Sequence, residues 1–186
     1  MPKFQSWYPY VFFALVLLLG LTVLDDYGIS WDESIQRRHG RVSIDYAAEK
    51  LGLDDHVKLE PDFHLEDYQW SNYGMIYQLT SSLLEFQLGL EDSPYQYYKL
   101  RHYLCWLLFW VALIYFYRTL RLRFPDRPWY PLVGTLVLLL SPRIFANAFY
   151  NPKDHILVVF YLINTFTLLR FLGERTWRNL ILHAVA

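Results

Sequence analysis

Two short runs in this chain combine residue types that could do chemistry together. One is Asp32-Glu33; the other is Asn151-Pro152-Lys153-Asp154-His155, with Arg143 upstream. Adjacent carboxylates suit a general base beside a group that orients an acceptor. They equally suit a helix start, because Ser30-Trp31-Asp32-Glu33 has capping-box spacing and acids in a first turn complement the helix dipole. Asp154 is one of three charges in the 42 residues Pro128–Leu169, the others being Arg143 and Lys153. An ionisable group in such a region is a functional candidate, although an acid just after Asn-Pro is also ordinary helix-start chemistry. Arg143 and Lys153 are suited to a phosphate, Arg by a bidentate fork and Lys as a point charge. Snorkelling to lipid headgroups would account for the same residue types. Lys99, Arg101 and His102 form a further basic group ahead of an apolar run.

The elements that must position these residues are of two unlike materials. Phe4–Leu24 is 21 residues without a charge, with Trp7, Tyr8 and Tyr10 at its start. At 1.5 Å per residue it matches a bilayer core of roughly 30 Å, and aromatics favour its edge. It ends in Val-Leu-Asp-Asp with no small-residue cleavage site, so it is read as an uncleaved first span, residues 1–24. Residues 25–100 carry 15 acids and 6 bases, and no window there could cross a membrane. They hold two expected helices, one following Ser30 and stopping near Gly52, the other over Met75–Leu90 with Met75, Leu79, Leu83 and Phe86 on one face. Both suit a membrane surface. Residues 101–186 hold the remaining spans. Tyr103–Tyr117 makes the second, Pro128–Leu169 is long enough for two with a break at Tyr150-Asn151-Pro152, and Leu180–Ala186 starts a fifth. The expectation is an all-α fold with about four complete spans, the start of a fifth, and surface helices in a large first outer loop.

The basic residues Arg118, Arg121, Arg123 and Arg127, and again Arg170, Arg175 and Arg178, fall in short connecting segments. The positive-inside rule places these and the amino terminus in the cytoplasm, with residues 25–100 and the Asp154 corner outside. Composition excludes several classes. Of 186 residues, 54% are hydrophobic and 36 are aromatic, which argues against disorder. A net charge of −1 leaves no basic excess for nucleic acid. Cys105 is the single cysteine, so no internal disulfide forms. The histidines lack H-x-x-x-H and H-E-x-x-H spacing, so no metal site is expected and no cofactor is implied; a divalent ion is left open. There is no Gly-rich phosphate loop and no G-x-S-x-G. The mean hydropathy of +0.12 is an average over apolar spans and the acidic loop.

The order of these features resembles a known family. A first span leads to Asp32-Glu33 at a helix start, then to Ser71-Asn72-Tyr73-Gly74-Met75. Leu100-Arg101-His102-Tyr103-Leu104 opens the next span, and Ser141-Pro142-Arg143-Ile144-Phe145-Ala146-Asn147-Ala148-Phe149-Tyr150-Asn151-Pro152-Lys153-Asp154 follows. This is similar to the amino-terminal part of the GT-C membrane glycosyltransferases, including protein mannosyltransferases, the lipid A aminoarabinose transferases and Rgt-like domains. The resemblance implies transfer of a sugar from a polyprenyl-phosphate donor to a protein, lipid or glycan acceptor on the non-cytoplasmic face; the membrane is expected to be a bacterial plasma membrane, with an endoplasmic reticulum as the alternative. It implies that Asp32, with Glu33 beside it, is the base or acceptor-binding acid and that Asp154 is a second acid. Arg143, Lys153 and Arg101 are candidates for the donor phosphate. Family members are longer, so the chain is expected to be the front part of a larger transmembrane domain. The competing expectation is a small non-catalytic polytopic membrane protein that binds lipid or a partner subunit. A transporter piece would call for acids within the spans, whereas these acids cluster in the first loop.

Overall fold

A computed structural model describes residues 7–53 and 57–186; Lys3, Phe4 and His56 lie outside the described residues. The described chain is all-helical: α1 Tyr8–Val23, α2 Glu33–Leu51, α3 Ile76–Gln87, α4 Pro94–Arg123, α5 Tyr130–Leu139, α6 Pro142–Tyr150, α7 Asp154–Gly173 and α8 Trp177–Ala184. Three helical segments are long and apolar enough to cross a membrane: Tyr8–Asp26, Pro94–Arg123 and Asp154–Gly173. The pair α5–α6 makes a fourth candidate if its 66° bend is counted as one broken span.

That bend corrects the expectation of a single break in Pro128–Leu169. The break at Asn151-Pro152 is present, but another falls at Leu140-Ser141. Proline lacks an N–H and disfavours helical backbone in the residue before it. Ser141, ahead of Pro142, is accordingly extended at φ −64° and ψ 113°. Helix α4 starts at Pro94 and runs unbroken through residue 101. Its 30 residues extend about 45 Å, so the helix outruns a bilayer core of roughly 30 Å. The last helix, α8, has eight residues, with Thr176 accepting the Asn179 N–H at its start, and is too short to cross alone.

Helix α4 is the hub, touching α1, α3, α5, α6 and α7. Trp106, Phe109, Ala112 and Leu113 on it are fully buried. Close approach of α1 depends on Gly20, where a Cβ would overlap the Trp106 ring. Trp106 and Trp110 donate their indole N–H groups to the Leu17 and Phe13 carbonyls, at 3.4 and 2.8 Å. Trp106 also stacks on Phe149 of α6 at 4.8 Å, and Phe149 stacks on Tyr27 at 4.4 Å. One run of rings thus ties α4 to α6 and to the segment leaving α1.

Helices α2 and α3 pack through polar residues. The apolar residues of α3 read from sequence lie largely outward, with Ile76 71% exposed and Met75, Leu83 and Phe86 also exposed. The buried face is Tyr77, Gln78, Ser81, Ser82 and Glu85. Against it lies Gly40 of α2, where a Cβ would overlap the Gln78 carbonyl and the Ser82 hydroxyl. The end of α2 follows the sequence: Gly52, at φ 69°, donates to the Glu49 carbonyl while Leu53 N–H reaches Ala48, a left-handed glycine stop. Because the Gly40 contact is against backbone, Gly40→Ala should force α2 and α3 apart. A loss of about 1–3 kcal/mol is expected, seen as a lowered thermal midpoint in detergent and faster proteolysis within residues 25–93.

Candidate functional site

The start of α2 and the α6–α7 corner meet. Ser30 donates its hydroxyl to the Tyr150 carbonyl at 2.9 Å, and its Oγ lies 3.2 Å from Asp32 Oδ1. Gln78 of α3 donates through Nε2 to the Pro152 carbonyl at 3.0 Å and to Gln36 Oε1 at 3.1 Å. Residues 120 and 74 positions apart in the chain are therefore joined, the first pair through a hydroxyl and the second through an amide. The corner itself is built by Asn151, whose Oδ1 accepts the N–H groups of Lys153 and Asp154 at 3.3 and 3.0 Å. Asn151 thus closes the turn ahead of α7, but the helix starts later than expected from sequence, with Lys153 as its N-cap and Pro152 outside it, and the Asp154 side chain is exposed at the helix start.

The carboxylates differ sharply in setting. Asp32 is half-buried, with the Ser30 hydroxyl as its contact. Glu33 is wholly buried: its Oε2 accepts the Ser30 N–H at 2.7 Å and its Oε1 lies 2.9 Å from His102 Nε2. The capping box is thus half made. Glu33 supplies its share, while the Ser30 hydroxyl turns away to Tyr150, and the helix starts at Glu33. Glu33 clamps α2 to α4. One turn earlier on α4, Lys99 pairs with Asp25 at 2.7 Å, so both ends of the segment between α1 and α2 are held by α4.

The three expected phosphate cations are also placed apart. Lys153 is half-buried with Nζ 4.2 Å from the centre of the Tyr73 ring, a cation–π contact beside the corner. Arg143 is exposed in the first turn of α6, at the far end from Asn151, eight residues and roughly 12 Å along a helix. It makes no hydrogen bond or ion pair among the described residues. Arg101 is buried; its guanidinium donates to Gln78 Oε1 and lies 3.4 Å from Ser82 Oγ. It therefore faces α3, where it orients the amide that bonds Pro152. Tyr77 donates its hydroxyl to the Arg101 carbonyl at 2.6 Å, and burial holds its phenol well above the ordinary range, so it remains a donor.

A second charged group, which sequence reading did not single out, surrounds Glu85. Arg37 donates to both Glu85 oxygens, and Arg41 Nη1 lies 3.3 Å from Oε1. Arg41 also pairs with Glu60 at 2.9 Å, and the Arg37 guanidinium sits 3.6 Å from the Tyr97 ring centre. The i, i+4 spacing of Arg37 and Arg41 was visible in the chain; their shared partner, 44 residues away or more, was not. Among the described residues no group of His, Cys, Asp and Glu is arranged to hold a metal ion.

No family model, no curated protein and no solved structure matches this chain. Its class is therefore defined by its own features: an all-helical chain with three to four helical segments suited to crossing a membrane.

Two outcomes follow from these buried groups. His102→Ala leaves the Glu33 carboxylate buried without its side-chain partner, and a destabilisation of about 3–5 kcal/mol is expected in detergent unfolding, with His102→Gln recovering part of it. His39 is buried on α2 with neither ring nitrogen hydrogen-bonded, and burial lowers its pKa from 6.5. The unfolded chain then binds the proton more readily than the folded one, so this contribution is complete above pH 6.5. It declines as pH falls below that value and levels off once the folded histidine titrates. Thermal midpoints across that range should show this loss, and His39→Phe should remove it.

Proposed function

We propose that this chain forms part of a membrane glycosyltransferase that moves a sugar from a polyprenyl-phosphate donor to an acceptor at the non-cytoplasmic face of a bacterial plasma membrane. The observation that carries the reading is the junction of the Asp32 and Lys153–Asp154 segments through the Ser30–Tyr150 and Gln78–Pro152 hydrogen bonds. An accessible carboxylate, a second exposed carboxylate and a cation are thereby placed on neighbouring segments. The donor's tail stays in the bilayer, so its phosphate must be met at the membrane surface, where the apolar helices end.

In this reading the acceptor hydroxyl or amine attacks the anomeric carbon, the bond from that carbon to the phosphate oxygen breaks, and the lipid phosphate departs. Asp32 takes the acceptor's proton, and Lys153 offsets charge on the leaving phosphate, while Arg143, at the far end of α6, stands outside this step. Asp154 orients the acceptor or the sugar. Glu33 and Arg101 are positioning residues: Glu33 holds the start of α2 on His102, and Arg101 holds Gln78 against the corner. The orientation, with the amino terminus in the cytoplasm and residues 25–100 outside, is supported by the two arginine-rich connections.

The test is sugar transfer from a radiolabelled polyprenyl-phosphate donor in membranes, with the substitutions made in the natural gene. Asp32→Asn and Asp154→Asn should each lower transfer by about 100-fold or more with expression unchanged, since neither side chain forms an ion pair among the described residues. Full transfer by both variants would remove the assignment.

A further inference from the structure

The segment between α2 and α3 borders an open cleft of about 500 Å³, lined in part by Ile35, Arg38, Asp62, Phe63, Asp67 and Trp70. Its wall is built by successive turns. Phe63 N–H donates to the Glu60 carbonyl, Asp67 to His64, Ser71 to Tyr68 and Tyr73 to Trp70, at 2.9–3.2 Å. The segment is fastened to α2 at two places. Asp45 accepts the Leu59 and Glu60 N–H groups at 2.7 and 2.6 Å, and buried Tyr68 lies with its hydroxyl 3.4 Å from the Ile35 carbonyl and its ring edge-on to Phe63.

We infer that this cleft binds a carbohydrate. Phe63 and Trp70 offer aromatic faces for the C–H face of a pyranose ring. Asp62 and Asp67 are exposed and, among the described residues, make no side-chain hydrogen bonds, so their oxygens are open to paired sugar hydroxyls; Arg38, 4.9 Å from the Phe63 ring centre and with Nε 3.9 Å from Glu60, supplies donors through its remaining N–H groups. The mixture suits few other ligands. One arginine against two carboxylates is the wrong balance for a phosphate, and the charged lining is wrong for an acyl chain. A larger cleft, about 680 Å³, adjoins it and shares Phe63, His64 and Asp67, but there Asp45 and Glu60 are already committed to backbone N–H groups and to Arg41.

The cleft also leads to the junction described above. Ile35 lies one helical turn after Asp32. Trp70 packs on Tyr73 at 5.5 Å between ring centres, and Tyr73 carries Lys153 on its face. A sugar bound here therefore lies beside the segment that bears the proposed base. Assigning it as the acceptor rests on the transferase reading, whereas binding itself does not, and the experiment measures binding alone.

The intact chain in nanodiscs is titrated by calorimetry with neutral trisaccharides built from glucose, from mannose and from N-acetylglucosamine, and with spermine. Saturable binding of at least one trisaccharide is expected. Trp70→Ala and Asp67→Asn should each raise its dissociation constant about tenfold, while Trp70→Phe, which keeps a ring and guards against a folding defect, should stay within about threefold. No binding of any trisaccharide, binding unchanged in Trp70→Ala and Asp67→Asn, or binding of spermine alone would each overturn the inference. Sugar binding without transfer activity would leave this site standing and count against the transferase reading only.

Discussion

A carboxylate taken out of water must find a partner, and among the described residues two are buried, Glu33 where the acidic segment meets α4 and Glu85 between α3 and α2. Glu33 meets His102 and the Ser30 N–H; Glu85 meets Arg37 and Arg41. Once these pairs form, α2 has little freedom left. Its first turn is pinned to α4 and its middle to α3, and Gly40 lets α3 approach closely enough for Gln78 to reach both Gln36 and Pro152. The desolvation penalty makes such pairs a weak source of net stability, yet breaking one is costly, which favours a single arrangement over its alternatives. The position of the Asp32 segment against the α6–α7 corner depends on that arrangement.

Below this seam the packing principle changes. Where helices lie in hydrocarbon there is little hydrophobic drive between them, and close contact and interhelical hydrogen bonds carry the association. Gly20 under Trp106, the two indole N–H bonds to α1 carbonyls, and the Tyr27–Phe149–Trp106 stack are of this kind. Phe149 is placed to stack because the Ser141-Pro142 break turns α6 across α4. The length of α6 then separates Arg143, in its first turn, from the corner that holds Lys153. One local rule about proline thus shapes this part of the core.

The exposed apolar face of α3 has a companion explanation. With Gln78, Ser81, Ser82 and Glu85 turned inward to satisfy α2 and α4, the residues left outside are Ile76, Leu83 and Phe86. A helix inverted in this sense suits the boundary of a membrane, where the polar side can be covered by protein and the apolar side by lipid. Both sides then have a suitable medium.

Much of the chain's local structure was legible from residue order. Uncharged runs marked the long apolar helices, Gly52 marked the end of α2, and Asn151-Pro152 marked the start of α7, because each depends on neighbours within a few positions. Ser141-Pro142 carried the signal for the extra bend, although hydropathy averaged over 42 residues hid it. Tertiary structure decided which ionisable groups are open and which are committed. Asp32 and Glu33 are adjacent and chemically alike, yet one is half-exposed and the other is sealed against His102, 69 positions away. Arg101 and Lys153 are both basic residues near helix starts, yet one faces Gln78 and the other a tyrosine ring at the surface. Burial and pairing are set by segments distant in sequence, so spacing alone could nominate these residues but could not separate the ones that hold the fold from the ones left free to act.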